Sequence, residues 1–98
     1  MISNLERDLQ KKCLRWVRSL SKVWYLKVVG NAVQASGVPD ILLCIKGKFI
    51  AIELKRPDGT GVLSDIQQAN IERIREAGGQ AYVVDSFEEF KRIIEENI

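Results

Sequence analysis

Two apolar runs, Ile41-Leu42-Leu43-Cys44-Ile45 and Phe49-Ile50-Ala51-Ile52, stand back to back with only Lys46-Gly47-Lys48 between them. A strand half exposed to water alternates apolar with polar residues, whereas one apolar on both faces is covered on both. Residues 40–55 therefore read as a central β-hairpin, and the rest of the chain must supply its neighbours and its cover. Val23-Trp24-Tyr25-Leu26-Lys27-Val28-Val29 is rich in β-branched and aromatic residues and reads as one further strand, Gln80–Val84 as another. Three amphipathic stretches supply the cover. One runs from about Asn4 to Leu20. A second runs from Ser64 to about Ala77, where Gly78-Gly79 ends it, and a third follows Ser86 and carries Phe87, Phe90, Ile93 and Ile94. Ser3 with Glu6, Ser64 with Gln67 and Ser86 with Glu89 all have the spacing of a helix-capping pair. A strand–helix–strand connection of this length is a right-handed crossover, so the third and fourth strands should run parallel. The expected fold is α/β: an α-β-β-β-α-β core with a mixed four-stranded sheet flanked by helices, plus a C-terminal helix. Its length suits a single domain over residues 1–98.

Composition removes whole classes of chemistry. The chain has no histidine, so it holds no Ser-His-Asp triad, no histidine-activated cysteine and no imidazole metal ligand. Cys13 and Cys44 are too far apart for a zinc knuckle or a CxxC motif and read as buried thiols from a reducing compartment. Met1-Ile2-Ser3-Asn4 leads directly into a charged helix with no signal peptide, and no apolar run approaches the ~20 residues of a membrane span. The expected setting is intracellular, with no membrane partner. Any hydrolytic chemistry must run on carboxylates, lysine, water and hard metals. The net charge of +2 permits a polyanionic partner without requiring one. At 100° per residue, Ile2, Leu5, Leu9, Cys13, Trp16 and Leu20 fall on one stripe of the first helix. Arg7, Lys11, Arg15, Arg18 and Lys22 fall nearly opposite.

The hairpin carries charge only at its open end. Side chains alternate along a strand, so Glu53 and Lys55 share a face. A Lys46-Gly47 loop sets Asp40 opposite Glu53; a Gly47-Lys48 loop sets it opposite Lys55. Both registers bring Asp40, Glu53 and Lys55 to one face at one end. Two carboxylates about 5 Å apart repel, and their face is otherwise apolar, with Leu42, Cys44, Phe49 and Ala51. Lys55 offsets one charge, and a divalent cation offsets two more. Hard oxygen ligands favour Mg2+ or Mn2+ over zinc. The competing reading makes Asp40 a turn residue after Pro39 and Glu53–Lys55 an ordinary ion pair.

The string Gly37-Val38-Pro39-Asp40, then thirteen residues, then Glu53-Leu54-Lys55 resembles the PD-(D/E)XK nuclease motif. Ser36 through Asp40, Ala51 through Pro57, and Leu63-Ser64-Asp65-Ile66-Gln67 together resemble the VRR-NUC (virus-type replication-repair nuclease) family over roughly residues 4–85. That resemblance implies metal-dependent hydrolysis of phosphodiesters, with Mg2+ or Mn2+ as cofactor. It also implies a homodimer acting on branched DNA in the manner of Holliday-junction resolvases, and a virus-encoded protein working in its host cell. Carried over, Asp40, Glu53 and the Leu54 carbonyl become metal ligands, joined by Glu6 from the first helix. Lys55 orients or activates the attacking water, and Gln67 stands at the edge of the site with Ser36 on the substrate approach. Lys46, Lys48 and Arg56, together with Arg7, Lys11 and the rest of the helix-one stripe, are candidates to bind phosphates. A catalytically silent nucleic-acid-binding domain of the same fold is the rival; it retains the basic surface and leaves the opposed acids unexplained.

Overall fold

The computed structural model describes residues 4–29 and 37–98. Its elements are α1 (Asn4–Arg18), β1 (Val23–Lys27), β2 (Ile41–Ile45), β3 (Lys48–Leu54), α2 (Asp65–Glu76), β4 (Gln80–Val84) and α3 (Phe87–Asn97). They form one four-stranded sheet in the order β1-β2-β3-β4. The first three strands are antiparallel and β4 runs parallel to β3, so the mixed sheet and element order agree with the sequence reading. Ser3 lies outside the described residues, as do Ser36 and most of the loop leading to Pro39.

The turn settles the register. Lys46 and Gly47 take positive φ angles of 52° and 76°, the pair of left-handed conformations that a two-residue hairpin turn needs to match strand twist. Ile45 consequently pairs with Lys48 and Ile41 with Ile52.

α1 and α3 cover one face of the sheet. Leu9, Cys13 and Val17 from α1 and Phe90, Ile93 and Ile94 from α3 pack on Ile41, Leu43, Ile45, Ile50, Ile52 and Leu54. Trp16 closes the seam between these helices, meeting Phe87 and Phe90 edge to face at 5.9 and 6.2 Å. Each fully buried Leu, Ile or Phe contributes about 1.5–3 kcal/mol relative to exposure, so most of the stability lies in this layer. The inward stripe is rotated from the one expected: Leu5 is exposed, while Gln10 and Val17 are buried. The helix meets the sheet and α3 together, and its buried face follows that wedge rather than the centre of the apolar stripe.

α2 covers the other face over β3 and β4, where Ala51 and Ala81 let Ile71 come close. It leaves β1, most of β2 and the start of β3 uncovered, with Leu42 of β2 packed at the edge of its cluster. Trp24, Leu26 and Phe49 stay 58%, 47% and 43% exposed, and Cys44 is exposed among them. The apolar pattern places both cysteines in the interior; only Cys13 is buried, and burial pushes its thiol up to about 12. One helix is too narrow to cover four strands, so the hairpin is covered fully on one face and in part on the other. No helix among the described residues is long and apolar enough to cross a membrane.

Candidate active site

Continued one step, the register that pairs Ile41 with Ile52 brings Asp40 against Glu53. Asp40 precedes β2 at a bend. Its carbonyl accepts the Val28 amide at 2.8 Å, and its Oδ2 accepts the Leu54 amide at 2.7 Å. The carboxylate is thus pinned across the strand end, onto the backbone of the strand that carries its partner acid. Glu53 lies within β3 between β2 and β4 and is only 3% exposed. Lys55 extends the strand, its amide donating to the Val84 carbonyl at 2.9 Å, and its side chain returns to the face of Glu53.

The α2 cap completes the group. The Ser64 hydroxyl accepts the Gln67 amide, and Gln67 Oε1 accepts the Ser64 amide at 3.0 Å. The same Oε1 accepts the Lys55 ammonium at 3.0 Å, while Gln67 Nε2 donates to Glu53 Oε2 at 3.4 Å. Lys55 Nζ lies 4.0 Å from that Glu53 oxygen. One amide side chain therefore starts a helix and ties lysine to glutamate. Ile66 beside it is exposed, and the helix packs inward through Ile71 and Ile74.

The other Glu53 oxygen, Oε1, is buried and accepts no hydrogen bond from an amide, hydroxyl or ammonium donor. A buried charge with an unmet oxygen is costly. Burial is the main cause that pushes the Glu53 carboxyl well above the usual carboxylate range. The Asp40 charge and a hydrogen bond shared with Asp40 push the same way, and Lys55 opposes them. Glu6 reaches the same end of the sheet from α1. Its carboxyl is raised first by burial and then by Asp40, against the opposing charges of Lys55 and Arg56. Among the described residues no three Asp, Glu, Cys or His side chains form a ready-made metal cage. What exists is a carboxylate pair with one orphaned buried oxygen beside the Leu54 backbone. These hard oxygen donors fit Mg2+ or Mn2+ completed by water.

The remaining sequence candidates are spread apart. Arg56 follows Lys55 directly and flanks the site. Lys46 and Lys48 lie at the hairpin turn, about 17 Å away at the rise of a β-strand. Arg7 and Lys11 are exposed on α1, in the layer behind the sheet. Two features went unread in the sequence. One is the Leu54 amide that holds Asp40, a backbone contact with no residue signature. The other is the loop after Arg56, where Asp58 grips the arginine; its Arg-Pro-Asp-Gly-Thr composition signals a turn but not its direction.

The sequence profile of the VRR-NUC domain matches residues 11–88. The chain belongs to the VRR-NUC domain family. A solved VRR-NUC domain superposes with a TM-score of 0.76 at 25% identity, covering 98% of this chain and all of the other. A solved VRR-NUC domain protein gives a TM-score of 0.79 at 18% identity over 100% and 91% of the two chains, a likeness of fold. The Archaeoglobus fulgidus Holliday junction resolvase Hjc gives a TM-score of 0.54 at 26% identity over 84% of this chain and 65% of its own. No curated protein matches. Asp40, Glu53, Lys55 and Gln67 lie on the segment the family profile spans, and Glu6 lies before it.

Proposed function

We propose that this VRR-NUC domain is a Mg2+- or Mn2+-dependent endonuclease that hydrolyses phosphodiesters in branched DNA. The observation that carries this reading is the orphaned Glu53 oxygen, held buried beside Asp40. A fold with no use for a cation gains nothing from two opposed carboxylates in an apolar setting. A divalent ion bound there supplies a more acidic water and offsets negative charge on the phosphate.

The chain's own groups do the rest. Asp40 and Glu53 present oxygens in fixed directions, one braced by the Leu54 amide and the other by Gln67. Lys55, with its ammonium on the Gln67 oxygen, stands where it can orient a water or stabilise charge growing on a phosphate oxygen. The half-covered apolar face then suits a second copy of the chain, and a dimer places one site on each of two strands of a junction. The likeness to Hjc, a Holliday junction resolvase, supports the choice of substrate.

The test is cleavage of linear, forked and four-way DNA with Mg2+ or Mn2+ by wild type, Asp40→Ala, Glu53→Ala and Lys55→Ala. Each variant should fold and bind DNA yet cut at least about a hundredfold more slowly, the effect typical of removing one strong electrostatic interaction. Wild-type cutting rates in Glu53→Ala would refute the assignment.

A further inference from the structure

The loop that leaves β3 is organised around Arg56. Its carbonyl accepts the Gly59 amide at 3.0 Å, closing a turn. Within that turn Asp58 Oδ2 accepts the Arg56 guanidinium at 2.8 Å, while Asp58 Oδ1 accepts the Thr60 amide and hydroxyl at 3.0 and 2.7 Å. Thr60 chiefly holds the Asp58 carboxyl below the usual range, with Arg56 adding to the effect. Asp58 is thus an ionised brace fixed by three hydrogen bonds, at a position where an exposed acid beside DNA would otherwise repel it.

The same loop presses on the catalytic end of the strand. A Cβ on Gly61 would lie 3.1 Å from both the Cβ and the Cδ of Lys55 and 3.3 Å from the Arg56 amide nitrogen. A side chain there would crowd the lysine stem by a few tenths of an ångström. Arg56 itself is incompletely satisfied: its Nε is buried with no acceptor, an arrangement that costs stability until an acceptor arrives. The arginine also stands close enough to the acids for Glu6 to feel its charge together with those of Asp40 and Lys55.

We infer that the loop from Arg56 to Gly61 is a phosphate clamp, in which Arg56 grips a DNA backbone phosphate beside the one being cut and Asp58 is the positioning residue that aims it. This rests on the nuclease reading and adds to it an interaction that fixes the cut strand on the site. A guanidinium forms a planar fork, and a carboxylate on one edge leaves the others for a phosphate. Arrival of that phosphate tips the guanidinium outward on its Asp58 tether and gives Nε an acceptor.

The test is a double-mutant cycle on Arg56→Ala, Asp58→Ala and the pair. It is read by anisotropy of a labelled four-way junction without metal and by single-turnover cleavage with Mn2+. Arg56→Ala should weaken binding roughly tenfold and make the salt slope shallower by about 0.9 between about 50 and 200 mM, the signature of one fewer phosphate neutralised by the protein. Asp58→Ala adds a net positive charge, so bulk electrostatics alone predicts tighter binding. The clamp predicts binding several-fold weaker, with the effect in KM rather than in the chemical rate. The double variant should match Arg56→Ala, because without the arginine there is nothing to aim. Tighter or unchanged binding by Asp58→Ala, or additive effects in the pair, overturns the clamp and leaves the nuclease reading standing. Failure of wild type to bind any DNA overturns both.

Discussion

Glu53 holds its raised proton affinity only in the folded, metal-free state. Between the ordinary carboxylate pKa of 4.5 and its raised value, the folded protein binds more protons than the unfolded chain. Stability in that window therefore falls as pH rises. Glu53→Gln keeps the shape and removes the charge, so its thermal midpoint should equal wild type near pH 4 and exceed it at pH 8. A wild-type midpoint that climbs from pH 5 to pH 8 without metal would contradict this assignment of the proton. Mn2+ competes with that proton, so it should raise the wild-type midpoint more at pH 8 than at pH 6 and leave Glu53→Gln almost unmoved. A reader of the sequence could see that Asp40, Glu53 and Lys55 meet, because alternation along a strand fixes faces. The depth of Glu53 and the grip of the Leu54 amide on Asp40 were out of reach, since both depend on how strand ends pack rather than on residue type.

α2 has two duties at its first turn, and they can be separated. Ser64→Ala removes the hydroxyl that caps the helix and should cost about 1 kcal/mol in urea unfolding, while cleavage stays within a few-fold because Gln67 still reaches Lys55. Gln67→Ala should cost a similar amount of stability and slow cleavage at least tenfold, because Lys55 loses its anchor. Equal activity in the two variants would show that the amide serves the helix alone. The cap was visible in the Ser-x-x-Gln spacing, but not that a single Gln67 oxygen serves both the helix and Lys55. The hairpin was equally plain in its apolar runs, yet its register stayed open between two values. A positive φ at Lys46 decides it, and lysine gives no hint of adopting one. Pattern also overstated the cover on that hairpin: it reports that Cys44 and Phe49 are apolar, not that α2 is too narrow to reach them.

For the whole molecule, charge and greasiness are distributed unequally. Cations stand at the hairpin turn, along α1 and beside the acids, far enough apart to follow a polyanion around the domain rather than to read one groove. If about six of them meet phosphates, the log–log slope of affinity against salt should be near −5. A slope near −1 would confine binding to the site itself. The apolar strip of Trp24, Leu26 and Phe49 lies on the same face of the sheet as Glu53. Trp24→Lys should shift the sedimentation of a dimer to that of a monomer and turn paired incisions across a four-way junction into single nicks; a monomeric wild type would rule that interface out. Finally, the two-residue tip at Lys46-Gly47 touches no acid, yet it works as a parity bit for the site. One codon gained or lost there sends Asp40 and Glu53 to opposite sides of the sheet, so related genes that still cut should differ at this tip by pairs of codons or by a compensating bulge.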